Sequence, residues 1–152
     1  MRKSVFLLTL LSSAVACGYI PQSLWAKTWE YARAWGVDPY LVAAVVWVES
    51  GYCPGAVGRA GEVGLGQFMP GTWARTTGAP VEWRAHPDWA LWAVAKHLRE
   101  LYFAVGGDWR KALWAYNAGL GAVRRGAIPA STLRYAEKVL AVYRKFKGGG
   151  SG

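Results

Sequence analysis

The chain has 152 residues, 53% of them apolar, with ten tryptophans and a formal charge of +9. That length bounds one domain able to bury its own core, and the charge favours an anionic partner: nucleic acid, an anionic membrane or a cell wall. The basic residues are scattered, with only Arg124-Arg125 and Arg144-Lys145-Lys147 grouped, so the pattern disfavours nucleic acid.

Residues 1–16 read as an export signal. Arg2-Lys3 precede an apolar run from Val5 to Leu11, and Ala14-Val15-Ala16 follow. The run is too short to span a bilayer and is expected to lie outside the fold. Its removal takes Arg2 and Lys3 with it and lowers the formal charge from +9 to +7. Cys17 comes next, with two fates open. Ala-Val-Ala suits the ordinary signal peptidase, yet it also loosely resembles the lipobox of bacterial lipoproteins, with Ala14 where that box normally wants Leu. Lipidation of Cys17 makes a membrane anchor. A free Cys17 can pair with Cys53 in an oxidising compartment, a closure worth roughly 3–4 kcal/mol in the chain-entropy account.

From Ser23 to Trp35, Leu24, Thr28, Tyr31, Ala32 and Trp35 fall near one face, which predicts a helix ended by Gly36. Asp38 can cap a second helix, with Pro39 in its first position and Tyr40–Val48 apolar almost throughout. That helix ends on Glu49, then Ser50 and Gly51. The stretch 52–63 holds Gly55, Gly58 and Gly61, flanked by Gly51 and Gly64, and predicts a loop or small β-excursion. Pro70–Thr77 is expected as a short helix and 78–87 as a loop. Asp88 is expected to cap a helix over 89–105, where Leu91, Val94, Ala95, Leu98, Leu101 and Tyr102 make an apolar stripe. Gly106-Gly107 ends it. Asp108 caps the next helix, over 109–119, and Ser131 or Thr132 starts the last, over 133–146. Residues 148–152 have linker composition. The expectation is an all-α domain over 17–147, with lysozyme-like α+β character at most, built around the apolar helix.

The chemistry centres on Glu49. Burial disfavours the ionised carboxylate and shifts its pKa upward, and the negative end of the helix repels it too. A carboxylic acid protonated near neutral pH is what a general acid needs. The competing structural reading has Glu49 point to water. Ser50 either bonds the carboxylate or helps end the helix. Gln67 carries a flat amide in a glycine-flanked turn that allows a ligand close to the backbone; a turn before Pro70 is the plainer reading. Asn117, the only asparagine, is either a helix C-terminal cap or a ligand-facing amide. Tyr135 on an amphipathic helix would by default be core. His86 and His97 have no third ligand at metal spacing, so no metal site is expected. A Cys53–His97 thiol enzyme is disfavoured, because Cys53 precedes Pro54 and has no helix N-terminus to activate it.

Three motifs in order, Glu49-Ser50, Gly64-Leu65-Gly66-Gln67-Phe68-Met69-Pro70 and Ala115-Tyr116-Asn117-Ala118-Gly119, resemble those of the soluble lytic transglycosylase domain, which shares the goose-type lysozyme fold. The resemblance runs over about residues 24 to 146. It departs at Gly66, where the family usually has Met, and at Gly58, where it has Ser early in the loop. The resemblance implies cleavage of the bond between N-acetylmuramic acid and N-acetylglucosamine in peptidoglycan, with Glu49 as sole acid and base. It implies that Gln67 lines the sugar groove, Met69 packs beside the acid, Tyr116 reaches toward it, Asn117 contacts saccharide and Tyr135 hydrogen-bonds the acid. It implies no cofactor, an exported monomer in the periplasm or envelope, and a role in wall remodelling or in secretion, pilus or phage machinery. A goose-type hydrolase and an inactive wall-binding module are the competing readings. Of the other carboxylates, Glu30, Glu100 and Glu137 sit a turn from Arg33, Lys96 and Arg134 and are expected in solvated pairs. Only Glu62, in the glycine-rich excursion, is expected near Glu49.

Overall fold

The computed structural model describes residues 17–149; the export-signal reading of 1–16 and the end of the linker-like tail lie outside them. Among the described residues seven α-helices follow in order: α1 Gln22–Ala34, α2 Pro39–Ser50, α3 Pro70–Thr77, α4 Pro87–Ala104, α5 Trp109–Ala118, α6 Leu120–Arg124 and α7 Ala130–Lys147. The fold is the expected all-α domain. The glycine-rich excursion contributes only two isolated antiparallel bridges, Val57 with Val63 and Val63 with Phe68.

Helix α2 is central because its sequence leaves it no polar face. Leu41 to Val46 are all buried, so neighbours must cover it on every side. Helix α7 provides the most extensive cover, and α1 and α4 complete it. Asp38 fixes the start of α2, where its side chain accepts from the Tyr40 N–H at 2.9 Å. The other oxygen of Asp38 accepts from Tyr143 Oη at 2.7 Å. At the far end of α2, Tyr135 lies beside Glu49. Helices α2 and α7 therefore run antiparallel, tied at both ends.

Gly51 and Tyr52 then both adopt left-handed backbone, φ 61° and 59°. The reversal drives the Tyr52 ring into the core, where its hydroxyl meets Thr28 Oγ1 at 2.9 Å. Beside this turn Cys17 is bridged to Cys53, with Cα atoms 4.7 Å apart. The Gly18 N–H donates to Gly51 O, so the segment before α1 is strapped to the exit of α2.

Several boundaries differ from expectation. Asp88 is not a cap: α4 begins at Pro87 with His86 before it, and Asp88 lies in the first turn, where a carboxylate still complements the helix dipole. The stretch expected as loop contains a 3-10 turn, Val81–Ala85. Helix α7 starts at Ala130 after Pro129, ahead of Ser131 and Thr132. Helix α6, too short to show periodicity, was not expected. The ion pairs also differ. Glu30 pairs with Lys27 and Glu137 with Arg110, while Lys96 gives its ammonium to Thr76 O at 2.7 Å.

The excursion is held by Arg84, whose guanidinium donates to Gly61 O at 3.1 Å and Phe68 O at 2.8 Å. Its own carbonyl lies 1.8 Å from where a Cβ on Gly64 would stand, and Gly64 has φ +89°. Glycine is required there on both counts. Gly66 is required on space alone. A Cβ would stand 2.5 Å from Val94 Cγ2, 2.6 Å from Phe68 Cε2 and 2.9 Å from Tyr116 Oη. Val94, Phe68 and Tyr116 together occupy the room that a side chain at 66 would need. We expect Gly66→Ala to cost about 1–3 kcal/mol by overpacking, and Phe68→Leu in the same chain to recover part of that loss. Urea denaturation of the two variants checks this; equal destabilisation of single and double variants would mean that Phe68 is not the obstacle.

Candidate functional site

A groove of about 780 Å³ runs across the face formed by α3, α4 and the α5–α6 turn, with Glu49 at its floor. The excursion supplies Glu62 and Gly66–Met69, α3 supplies Thr72, Arg75 and Thr76, and α4 supplies His97, Glu100, Leu101 and Ala104. Residues 115–120 close the other wall.

Glu49 accepts from Tyr135 Oη at 2.7 Å. Burial pushes its pKa up to about 7, the Tyr135 bond opposes that rise, and the Glu62 charge adds to it. Desolvation dominates because the last turn of an all-apolar helix gives the carboxylate little water. Tyr135 and Tyr116 have phenol pKa values well above their ordinary one, burial first and the Glu49 charge second. Tyr135 is therefore a fixed proton donor to the carboxylate. The amphipathic pattern of α7 hides this role, since Tyr135 lies among the partly buried residues packed against the core.

The other expected site residues divide. Ser50 does not bond the carboxylate; its hydroxyl lies 3.1 Å from Val46 O and 2.8 Å from Leu65 O, joining the end of α2 to the excursion. Gln67 lines the groove with φ 51°. Its amide nitrogen donates to Ala56 O and Gly64 O, both at 3.0 Å, which leaves only its amide oxygen uncommitted. That oxygen and Glu62 Oε2 lie 2.8 and 2.3 Å from where a Cβ on Gly58 would stand. Tyr116 lines the groove, but its hydroxyl donates to Gly66 O at 2.8 Å and not to Glu49. Asn117 is no C-cap: it lies within α5, and its Oδ1 accepts from the buried Thr132 hydroxyl at 2.7 Å. Its amide nitrogen remains for the groove. Met69 is an exposed groove-lining residue. Glu62 lines the groove while its Oε1 accepts from the Ala60 N–H.

Sequence reasoning missed the α4 wall. His97, Glu100, Leu101 and Ala104 follow the i, i+3, i+4, i+7 spacing of one helix face, of which only Leu101 is expected in the apolar stripe and Glu100 in a solvated pair. The His97 ring lies 5.9 Å from Phe68 and 5.4 Å from Tyr116. Burial, aided by the Arg75 charge, lowers its pKa to about 4, so it is a neutral imidazole. Among the described residues no group of three His, Cys, Asp or Glu side chains is placed to hold a metal ion.

The family model of the Transglycosylase SLT domain matches residues 27–136. Over 55 residues the chain is 44% identical to the endo-type membrane-bound lytic murein transglycosylase A of Klebsiella pneumoniae, a match covering 36% of this chain and 27% of that protein. Over 94 residues it is 38% identical to the peptidoglycan transglycosylase gp16 of Escherichia phage T7, covering 59% of this chain and 7% of the relative. The chain thus spans well under half the length of these curated relatives. Among solved structures, the 70 kDa soluble lytic transglycosylase of Escherichia coli superposes with a TM-score of 0.75 at 24% identity, covering 86% of this chain and 25% of that one. The lytic transglycosylase Slt of Pseudomonas aeruginosa, as an inactive mutant, gives 0.73 at 24% identity over 85% of this chain and 25% of that one. At that identity the likeness is one of fold.

Glu49 and His97 give the fold opposed pH dependences. Glu49 holds its proton more tightly folded than unfolded, so its contribution is full below about pH 4.5 and is lost as pH rises to about 7. His97 holds its proton less tightly when folded, so its contribution is full above pH 6.5 and is lost as pH falls to about 4. Each amounts to roughly 3 kcal/mol. Their overlap keeps the wild-type curve shallow across pH 4.5–6.5. We expect Glu49→Gln to become more stable as pH rises through that window, and His97→Phe to become less stable. Urea midpoints at four pH values check both; parallel curves for the two variants would overturn the assignment.

Proposed function

Because the chain belongs to the Transglycosylase SLT domain family, we propose that it cleaves peptidoglycan glycan strands by lytic transglycosylation, with Glu49 as the only acid and base. The carrying observation is the carboxyl of Glu49, kept protonated to about pH 7 at the floor of the groove and fixed by the Tyr135 hydroxyl. Protonated Glu49 donates to the glycosidic oxygen between N-acetylmuramic acid and N-acetylglucosamine. The resulting carboxylate, stabilised by Tyr135, then takes the proton of the muramic C6 hydroxyl as that oxygen attacks C1. The product is a 1,6-anhydro end. The 2-acetamido group of the same sugar shields the positive centre, so no protein nucleophile and no cofactor takes part. Gln67, Met69, Tyr116 and Asn117 shape the sugar subsite around this acid, and Ser50 positions it by joining α2 to the excursion.

One observation keeps a hydrolase as the second reading: Glu62 shares the groove and its charge raises the Glu49 pKa. An inverting hydrolase holds water on a second carboxylate about 6.5–9.5 Å from the first. Glu62 has one oxygen committed to the Ala60 N–H, and exposed Met69 gives that rim a side chain that cannot activate water. The inactive wall-binding module remains the outcome in which no lysis occurs. Purified sacculi treated with the protein should release muropeptides one water lighter than lysozyme products and resistant to borohydride. Glu49→Gln should lose several orders of magnitude of lysis while keeping its fold and sacculus binding, and Glu62→Gln should keep most of it. Reducing-end products, or equal losses in the two variants, would establish the hydrolase.

The same reading puts the enzyme in the periplasm or cell envelope as a monomer over 17–147, exported by residues 1–16 and serving wall remodelling or a secretion, pilus or phage assembly. A bridge between Cys17 and Cys53 is the arm that an oxidising compartment supports, and it consumes the thiol that lipidation needs. A non-reducing mass of the mature protein should be short by two hydrogens. A globomycin-sensitive precursor with a membrane-bound mature form would establish lipidation in its place.

A further inference from the structure

The formal charge is not spread evenly over the domain. Residues 120–149 hold seven cations and one acid, +6, whereas residues 17–119 hold nine cations and eight acids, +1. Most of the excess lies on α7. Around its axis Arg134, Lys138 and Lys145 fall within about 40° of one another, with Ala141 among them, along a line of roughly 16 Å. All four are exposed, and they stand opposite Thr132, Ala136 and Val139, which are buried. Glu137, the only acid on α7, is taken by Arg110, and Lys147 is paired with Asp38. Among the described residues no ion pair or side-chain hydrogen bond reaches Arg134, Lys138, Arg144 or Lys145. The last-turn cations complement the C-terminal end of the helix dipole. Arg134 and Lys138 have no such reason, and as like charges one turn apart they repel each other.

At its C-terminal end this line runs into an apolar pocket of about 340 Å³, lined by Ile20, Gln22, Trp25, Lys145, Phe146 and Gly149. The Trp25 and Phe146 rings lie 6.5 Å apart, and half-exposed Tyr19 comes just before Ile20. Lys145 belongs to both features. A soluble polyanion satisfies the cations but has nothing for the pocket. A bilayer surface has both parts, phosphates outermost and apolar atoms just below, and rings flanked by cations suit that boundary. We infer that the outward face of α7 and the Trp25–Phe146 pocket dock the domain on an anionic phospholipid surface. No residue of α1 or α7 lines the groove above Glu49, so docking leaves that groove uncovered. The surface is independent of the chemistry at Glu49.

The test is sedimentation of the full protein with two kinds of vesicle, phosphatidylcholine alone and phosphatidylcholine mixed equally with phosphatidylglycerol. The wild type should bind the mixed vesicles about a hundredfold more tightly, and raised salt should release it. A lipid on Cys17 would bind both vesicles alike, so it cannot produce that ratio. Arg134→Gln, Lys138→Gln and Lys145→Gln should each lower the ratio about fivefold, the effect of one cation near such a surface. Arg59→Gln, at an exposed position in the excursion, makes the same change in net charge and should leave the ratio unaltered. Equal losses in all four variants would make the effect one of net charge and overturn the α7 face. Equal binding of the wild type to both vesicles would overturn the proposal outright. Brominated acyl chains in the mixed vesicles should quench part of the tryptophan emission, and Trp25→Phe, which keeps a ring against Phe146, should remove that part. Quenching that survives Trp25→Phe would overturn the role of the pocket. Absent quenching, with equal capture by inorganic polyphosphate, would mean a site for soluble polyanions and overturn the bilayer. Sedimentation and quenching read no bond cleavage, so this proposal and the transglycosylase reading stand or fall separately.

Discussion

One antiparallel helix pair sets the position of the acid. Helix α2 is apolar all round and would not survive alone in water; α7 covers it and is pinned to it by Tyr143 on Asp38 at one end and Tyr135 on Glu49 at the other. The two bonds differ in environment. Asp38 is a partly exposed cap that also meets Lys147, whereas Glu49, at the groove floor, is largely desolvated. Packing of the helices thus delivers Tyr135 to the carboxylate, and burial by the same packing raises the pKa. Stability and acidity come from one contact surface, so any substitution that loosens α7 is expected to change both.

The rest of the groove is built on backbone carbonyls. Ser50, Gln67, Arg84 and Tyr116 all spend donors on carbonyls of the segment 56–68. A loop with several glycines loses much entropy on ordering, and it has only isolated bridges to hold it. These side chains replace the ladder that the segment lacks. The consequence for ligand binding is that much of the wall that looks polar from the sequence is already satisfied. What remains free is the Gln67 oxygen, the Asn117 amide nitrogen, the His97 nitrogens and the charges of Arg75, Glu62 and Glu100.

The helices and the acid were legible in the sequence because their signals are local. An unbroken apolar run ending in a carboxylate, caps at Asp38 and Asp108, and glycines at the turns each depend on a few adjacent residues. Asp88 misled because a carboxylate in the first turn and one at the cap carry the same local signal, and Pro87 decided between them. The ion pairs failed for a different reason. Spacing of one turn makes a pair available, but Lys96 found a buried carbonyl on α3, and Glu137 found Arg110 on α5. The α4 wall was invisible because His97, Leu101 and Ala104 obey the periodicity of a core face. Only the tertiary placement of α3 opposite shows that this face borders a groove. Tyr135 and Asn117 were reached through family resemblance, since nothing local tells a groove tyrosine from a packed one.

The strap formed by Gly18 and the Cys17–Cys53 bridge has a mechanical consequence. Movement of the short segment before α1 reaches the fold at two places, the start of α1 and the loop just after α2. The covalent route bypasses α1 and transmits load to Cys53, four residues from Glu49. Tyr52 lies between, anchored in the core on Thr28, and it takes the tension before the acid can feel it. Displacement of the N-terminal segment is therefore spent on that anchor while the proton donor keeps its register.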